Sequence, residues 1–438
     1  MVPPSSPEQE TVSFFPQQLI NVEQTGLPFL WLQDHILKIM YFEGFLSGFQ
    51  ISEKACLPLV GVVDKILDSL KREKLLEIRS STSQLGLSEG SYQYVITSAG
   101  IARARDALER SHYAGPAPVP IQHYNESCLQ QGRGRLRVTQ RVMRQVLNNL
   151  VLSEKTFHKL GPAINSGASI FLYGPPGNGK TSVARALGDL IGNQEIYVPF
   201  AIYVDGQVIK FFDSVNHRLA KGESLGKRNP SSLNHDPRWV KVKRPFIMVG
   251  GELSLEGLDL VYDTSVKYYE APFQMKSNGG ILLIDDFGRQ LVHPRDLLNR
   301  WIVPLENRID FLSLHTGRKI EVPFDVLVIF STNLPPKDLV DEAFLRRLRH
   351  KVEIGDPTYD EYREIFKRVA ANKKINFDDR ALAYLLQEWY IKKNRHLRAN
   401  HPRDLIDQIF DISGYLAVEP ALTPELIDRA AEAYFVDL

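Results

Sequence analysis

The spacing of apolar residues changes several times along the chain, and each change marks a unit. The first 18 residues are polar and Pro-rich, a composition that predicts a disordered tail over residues 1–18. Residues 19–114 read as one compact unit. Trp31, Leu32, Ile36, Ile39, Met40 and Phe42 recur at helical spacing, and Ile66, Leu67 and Leu70 repeat it further on. Two strand-like runs, 75–79 and 92–97, flank the Gly- and Ser-rich SSTSQLGLSEGS, and a helix over 102–111 closes the unit. The text AGPAPVPIQHYNESCLQQGRGR then predicts a linker over residues 115–135. Over residues 136–355 short apolar runs (168–173, 281–284, 326–330) alternate with helical stretches, which predicts a parallel sheet covered on both faces. From Thr358 onward the pattern is helical throughout, so residues 356–438 are expected as a small α-helical domain. The fold class expected is α/β, with an N-terminal α+β domain and a C-terminal helical one.

Composition narrows this only slightly. A hydrophobic share of 43% over 438 residues supports several cores. There is no uncharged apolar run of 18 residues, so no membrane span is expected. The start, MVPPSSPEQETVSFFPQQ, lacks the basic and apolar regions of a secretory signal, which predicts a cytoplasmic protein. Cys56 and Cys128 make neither a disulfide framework nor a zinc site and read as buried small hydrophobes. The net charge of +1 is unevenly spread: residues 1–120 carry 10 Lys+Arg against 13 Asp+Glu, a balance of −3 that leaves +4 for the rest.

The candidate chemistry begins at residues 174–181, GPPGNGKT, which matches G-x-x-x-x-G-K-[ST]. Gly174, Pro175, Pro176, Gly177, Asn178 and Gly179 form the loop. Its glycines let the backbone curl so that N–H groups face phosphates, and the helix opening at Lys180 adds its positive end. Lys180 is expected to reach the β- and γ-phosphates of ATP, Thr181 to ligate Mg2+, and Ser182 to complete the phosphate contacts. The match follows a strand pattern and opens a helix pattern, as the mechanism requires. A hundred residues on, residues 281–286 read ILLIDD, an apolar strand ending in two carboxylates. Asp285 is the candidate for the Mg2+ shell and Asp286 for orienting the attacking water.

With these motifs in hand, the chain resembles an AAA+ ATPase over about residues 136–438. Phe330, Ser331, Thr332 and Asn333 end a strand in the position of the family's sensor 1, which implies that Asn333 helps to orient water. Residues 341–349, DEAFLRRLR, resemble the arginine-finger segment and make Arg346 and Arg347 candidates; NHPRDL at 400–405 resembles sensor 2 and nominates Arg403. A hairpin pattern over residues 308–322 resembles the pre-sensor-1 β-hairpin group. The resemblance implies a ring of copies, a hexamer in the family, with the finger supplied by a neighbour. One departure stands out, because the usual Asp-Glu pair is Asp285-Asp286 here. Asp is shorter by one methylene, about 1.5 Å of reach, and a misplacement of about 1 Å can cost on the order of 100-fold in rate.

Residues 19–114 resemble a winged helix-turn-helix domain with residues 62–72 as its recognition helix. That helix offers Lys65, Lys71 and Arg72 but also Asp64, Asp68 and Glu73, a poor footprint for phosphates. A protein client is therefore expected ahead of DNA, with a DNA-associated ATPase as the alternative. The run Arg133, Arg135, Arg137, Arg141 and Arg144 fits either a DNA contact or a subunit contact. A nucleotide-dependent switch that turns over little ATP is the third class. Tyr262, Tyr268 and Tyr269 are candidates for gripping a polymer in a pore, against packing beneath a helix. Lys210, His217, Lys221, Lys227 and Arg228 form a candidate nucleic-acid patch, against a solvated loop face.

Overall fold

The computed structural model describes residues 14–81, 91–132, 137–225, 230–339 and 346–435. Its centre is a five-stranded parallel sheet in the spatial order Phe246–Val249, Ile281–Ile284, Leu327–Thr332, Ile170–Tyr173, His350–Glu353. The second and third of these strands are buried at every position, because helices cover both faces. Alternation sends Ile170 and Leu172 to one face, against Val183 and Leu187 of the helix Lys180–Ile191. Phe171 and Phe330 go to the other, against Trp301 of the helix Pro294–Asn307. The expected α/β core is thus the observed one.

The C-terminal helices Tyr359–Asn372, Asp379–Leu385, His401–Leu416 and Pro424–Tyr434 share a core of their own around Tyr362, Phe366, Ile406 and Ile427. Thr358 and Glu361 cap the first of them reciprocally, fixing where the sheet's last connection turns into the helical unit. At the N-terminus the helices Phe29–Glu43, Gly48–Ala55, Asp64–Arg72 and Ser98–Arg110 pack on a three-stranded antiparallel sheet with Tyr92–Ile96 in the middle. Ile36, Ile51, Val62, Ile66 and Tyr94 fill that core.

Residues 194–280, opaque in the sequence, are rich in β-structure. Glu195–Pro199 pairs with Trp239–Lys243. A second sheet of five strands runs Val261–Asp263, Tyr268–Glu270, Gln207–Lys210, Ala201–Val204, Val119–Pro120. Its central hairpin turns at Asp205 and Gly206, both at positive φ (48° and 83°), the geometry expected for this dipeptide.

One expectation changes here, and two readings left open by the sequence are decided. The stretch expected as a linker is folded: Val119–Pro120 is a strand of that sheet and Ile121–Gln130 is a helix. The helix buries Tyr124, whose hydroxyl donates to Met275 O at 3.3 Å and accepts from Asn278 at 2.8 Å. Its Pro- and Gly-rich flanks masked an apolar face. The tyrosines are packed: Tyr269 is buried, and Tyr262 stacks on His315, at the tip of the hairpin Ile309–Ser313/Lys319–Pro323, with centroids 4.2 Å apart. The basic patch disperses, since Lys210 pairs with Glu270 at 3.7 Å and His217 is buried against Lys276 O. Arg144 pairs with Glu154 at 2.9 Å. Lys227, Arg228, Arg133, Arg135, the wing loop and most of the N-terminal tail lie outside the described residues.

Cys56 is buried, Cys128 is half-buried, and neither is in a disulfide. Among the described residues no helix is long and apolar enough to cross a membrane.

Candidate nucleotide site

The strand Ile170–Tyr173 runs out of the sheet at Gly174, and the chain must turn at once to enter the helix Lys180–Ile191. Gly174 makes this possible with φ +140°, where a β-carbon would stand 2.2 Å from Ile354 O. Gly177 has φ +81°, and a β-carbon there would stand 2.1 Å from Asn400 Oδ1. A loop held this tightly against Ile354 and Asn400 sits at the positive end of a twelve-residue helix, the setting in which backbone N–H groups bind phosphate.

Three neighbouring strands of the sheet end at this loop, and together they deliver five groups. Lys180 Nζ donates to Gly174 O and Pro175 O, both at 2.9 Å, and to Asn333 Oδ1 at 2.6 Å. Asn333 Nδ2 donates to Asp286 Oδ1 at 3.3 Å. Thr181 Oγ1 donates to Asp285 Oδ2 at 2.8 Å. Lys180, Thr181, Asp285, Asp286 and Asn333 thus form one hydrogen-bonded group at the carboxyl ends of parallel strands, where such sheets hold ligands. Burial pulls the Lys180 ammonium below the usual lysine pKa; Asp286 and Asp285 oppose this and the Arg398 charge reinforces it. A partly dehydrated cation gains more from an anionic ligand than a solvated one does. Asp286 sits at φ +49°, a left-handed conformation unusual for a residue with a side chain.

The helical unit closes the site from above. Asn178 Nδ2 donates to Asp356 Oδ1 at 2.8 Å, and Asn178 Oδ1 accepts from Ala399 N at 3.1 Å. Asp356 also pairs with Arg398. Sequence reading missed Asp356, Arg398 and Asn400, because no motif or period marks them. The residue it nominated, Arg403, is exposed and pairs with Asp404 at 2.9 Å. Arg346 and Arg347 are not joined to the Lys180 group. They line a cavity of about 660 Å3 with Ser166, Ser169 and Glu306, and Arg347 pairs with Glu306. Ser169 enters the strand whose other end is the P-loop. Pro175, Pro176 and Ser182 lie in or beside the loop but add no side-chain hydrogen bond among the described residues.

A parallel sheet with a phosphate-binding loop after its fourth strand in spatial order, and carboxylates after its second, defines a P-loop nucleotide-binding domain. Residues 170–356 match the family model of the ATPase family associated with various cellular activities (AAA), so this segment is an AAA-family domain. Residues 358–433 match a second model, a Domain of unknown function (DUF8689), which coincides with the C-terminal helices. No curated protein matches the chain. Among solved structures, the chain is similar to the RuvB Holliday junction branch migration motor of Thermotoga maritima (15% identity, 65% of this chain and 70% of that one, TM-score 0.38). It is also similar to NtrX from Brucella abortus (16% identity, 70% of this chain and 58% of that one, TM-score 0.36) and to NtrX in complex with ADP (14% identity, 86% and 69%, TM-score 0.36).

Proposed function

We propose that this protein is an AAA+ ATPase that couples ATP binding and hydrolysis to remodelling of a macromolecular partner, working as a ring, a hexamer by resemblance. One observation carries the reading: Lys180, Thr181, Asp285, Asp286 and Asn333 converge in hydrogen-bond contact around a loop in which Gly174 and Gly177 admit no β-carbon. The donor set fits ATP with Mg2+. Lys180 and the loop N–H groups hold the phosphates, and the Thr181 hydroxyl with the Asp285 carboxylate forms an oxygen pair suited to a hard cation. Mg2+, when bound there, neutralises charge on the phosphate oxygens. Asn333 and Asp286 orient the attacking water, and Asp286 accepts its proton.

The ring rests on where Arg346 and Arg347 sit. Ile170–Tyr173 is four residues, about 13 Å at 3.3 Å each, and these arginines border its entry while the phosphate loop forms its exit. Arginines at the wrong end for their own site are suited to a neighbour's, as the finger segment implies. The short side chain and left-handed backbone of Asp286 favour a second reading, a switch that binds ATP and turns over slowly. The element order of the N-terminal unit supports a winged-helix-like domain, and the hairpin at residues 309–323 supports membership of the pre-sensor-1 hairpin group.

Steady-state ATP hydrolysis by the purified protein tests this, with Lys180→Ala and Arg347→Ala beside it. Loss in both variants, with Arg347→Ala still binding ATP, is the expected result. Full activity in Lys180→Ala would overturn the reading, and tight binding without turnover in the unaltered protein would leave the switch.

A further inference from the structure

The basic residues that the sequence grouped are scattered, but others that it kept apart come together. Arg185, Arg218, Lys243 and Arg244 line a cleft of about 650 Å3, in which Asp189 is the one carboxylate among the described lining residues. Arg244 is buried and committed to structure, donating to Gly279 O at 2.6 Å, Gln131 O at 2.8 Å and Gln194 Oε1 at 3.0 Å. The other three are exposed. None of them makes an ion pair with a described residue. Arg185 contacts Met248 Sδ at 3.8 Å, and the carboxylate opposite Lys243 in the strand pair, Glu195, is bound to Lys241 at 2.6 Å.

Four cations gathered beside two nearby carboxylates, Asp189 in the cleft and Glu195 across the strand pair from Lys243, leave an excess of positive charge that an anionic ligand relieves. The form of the cleft says which anion. A site for a small enclosed anion buries its cations, whereas these stand in solvent along an open rim and meet a ligand that lies across the surface. Its floor includes two apolar side chains: Phe246 is half-buried and Met248 is 43% exposed. Phe246 lies so close to the P-loop helix that a β-carbon on Gly188 would be 2.4 Å from its ring. Cations above an aromatic and thioether floor suit phosphates joined to bases, because every base offers a flat face to stack.

We propose that this cleft binds the backbone of a nucleic-acid strand, and that nucleic acid is therefore the macromolecular partner of the ATPase; the coupling to ATP, though not the binding, rests on the function proposed above. Arg185 lies five positions beyond Lys180 on one helix, so a strand gripped at Arg185 pulls on the same rigid element that holds the phosphates. This reverses the expectation of a protein client, which came from the acidic helix Asp64–Arg72.

The test is fluorescence anisotropy of a labelled single-stranded 20-mer and its duplex, with the full chain, without nucleotide, over a series of salt concentrations. The expected result is binding at low salt that the triple variant R185E/R218E/K243E weakens at least 10-fold. The logarithmic salt slope should fall by about 2 for single strands, since each neutralised phosphate contributes roughly 0.7. The neutral triple R185Q/R218Q/K243Q, checked for an unchanged melting curve, repeats the test should the charge reversal disturb folding. Lys65→Glu with Arg72→Glu should leave binding intact. The proposal is overturned if the unaltered protein binds neither oligonucleotide, if both triple variants bind as well as it does, or if polyglutamate displaces the strand at equal charge, which would make an acidic protein the occupant. Lys180→Ala separates the two claims: it should abolish hydrolysis and keep strand binding, whereas hydrolysis that survives would overturn the proposed ATPase site and binding that is lost would overturn the cleft as a separate strand site.

Discussion

The helical C-terminal unit and the β-rich insert both adjoin the AAA core, but they are joined to it by different means. The lid cluster draws its residues from 362–435 alone, and no apolar cluster crosses from it into the core. Among the described residues its seam includes polar contacts: Asn178 with Ala399, Arg398 with Asp356, and Arg368 with Asn148 O at 2.6 Å. The insert instead shares one apolar cluster with residues 119–124 and with the hairpin, through Val119, Tyr124, Leu312, Leu314, Ile320 and Val322. Arg238 locks the N-terminal unit to it. This guanidinium is 1% exposed, pairs with Asp236 at 2.8 Å, and donates to Thr25 O at 2.7 Å and Pro118 O at 3.0 Å. A protein hydrogen bond exchanges with water for a net of about 1 kcal/mol, so a polar seam opens readily, whereas an apolar one must expose surface at about 25 cal/mol per Å2. One seam is suited to moving with the nucleotide, and the other to carrying that motion as a single body.

The strongest way to break this comparison is Arg238→Ala. It strands Asp236 in the interior and should destabilise the insert and N-terminal unit by about 3–5 kcal/mol, seen in denaturant unfolding; a loss below about 1 kcal/mol would mean that the seam is not rigid. Lys180→Ala should lower hydrolysis by about 10²–10³-fold, the scale of removing one preorganised charge from such a site, with an unchanged melting curve.

Acid should loosen the rigid seam through two histidines. Burial, the largest cause, pulls His35 to about 3 and His217 to about 4, with Lys38 and Lys276 reinforcing the shifts and the carbonyls of Gly115 and Lys276 opposing them. Both folded values lie below the unfolded 6.5, so the stability these groups support is complete above pH 6.5. It falls as pH drops toward 4 and then 3, by up to about 1.4 kcal/mol per pH unit for each group. Urea midpoints at pH 7.5 and 5 should show the loss, and His35→Phe should flatten it. The smallest effect sharpens the other seam: Arg398→Ala should weaken binding of a fluorescent ATP analogue about 10-fold, roughly 1.4 kcal/mol, and Arg403→Ala by less. The reverse ranking would return the lid arginine's role to Arg403.

The contrast also explains what could be read from the sequence. GPPGNGKT and ILLIDD were legible because phosphate binding constrains residue type and spacing within a few positions, and the strands that deliver them are unbroken apolar runs. The parallel sheet was implied by the same alternation, but not its order or its two edge strands, Phe246–Val249 and His350–Glu353. The linker was misread because prolines and glycines at its ends outweighed Tyr124, whose partners Met275 and Asn278 lie 151 and 154 residues away. Tyr262 and Tyr269 look like surface aromatics until the hairpin tip covers them. Arg398 and Asp356 are joined across 42 positions, and the cleft cations come from three segments. Such pairings belong to tertiary packing, and no local pattern announces them.

The two thiols have a practical consequence. Cys56 is buried out of reach of a maleimide reagent, and burial pushes the Cys128 thiol up to about 12, so it withholds the thiolate that such reagents attack at neutral pH. The native chain is a silent background for chromophores. A cysteine placed at Tyr415, which is 90% exposed on the lid, and a second at Val215, 87% exposed on the insert, would carry a dye pair into an otherwise blank molecule. The opening of one seam against the other could then be followed in real time, one particle at a time.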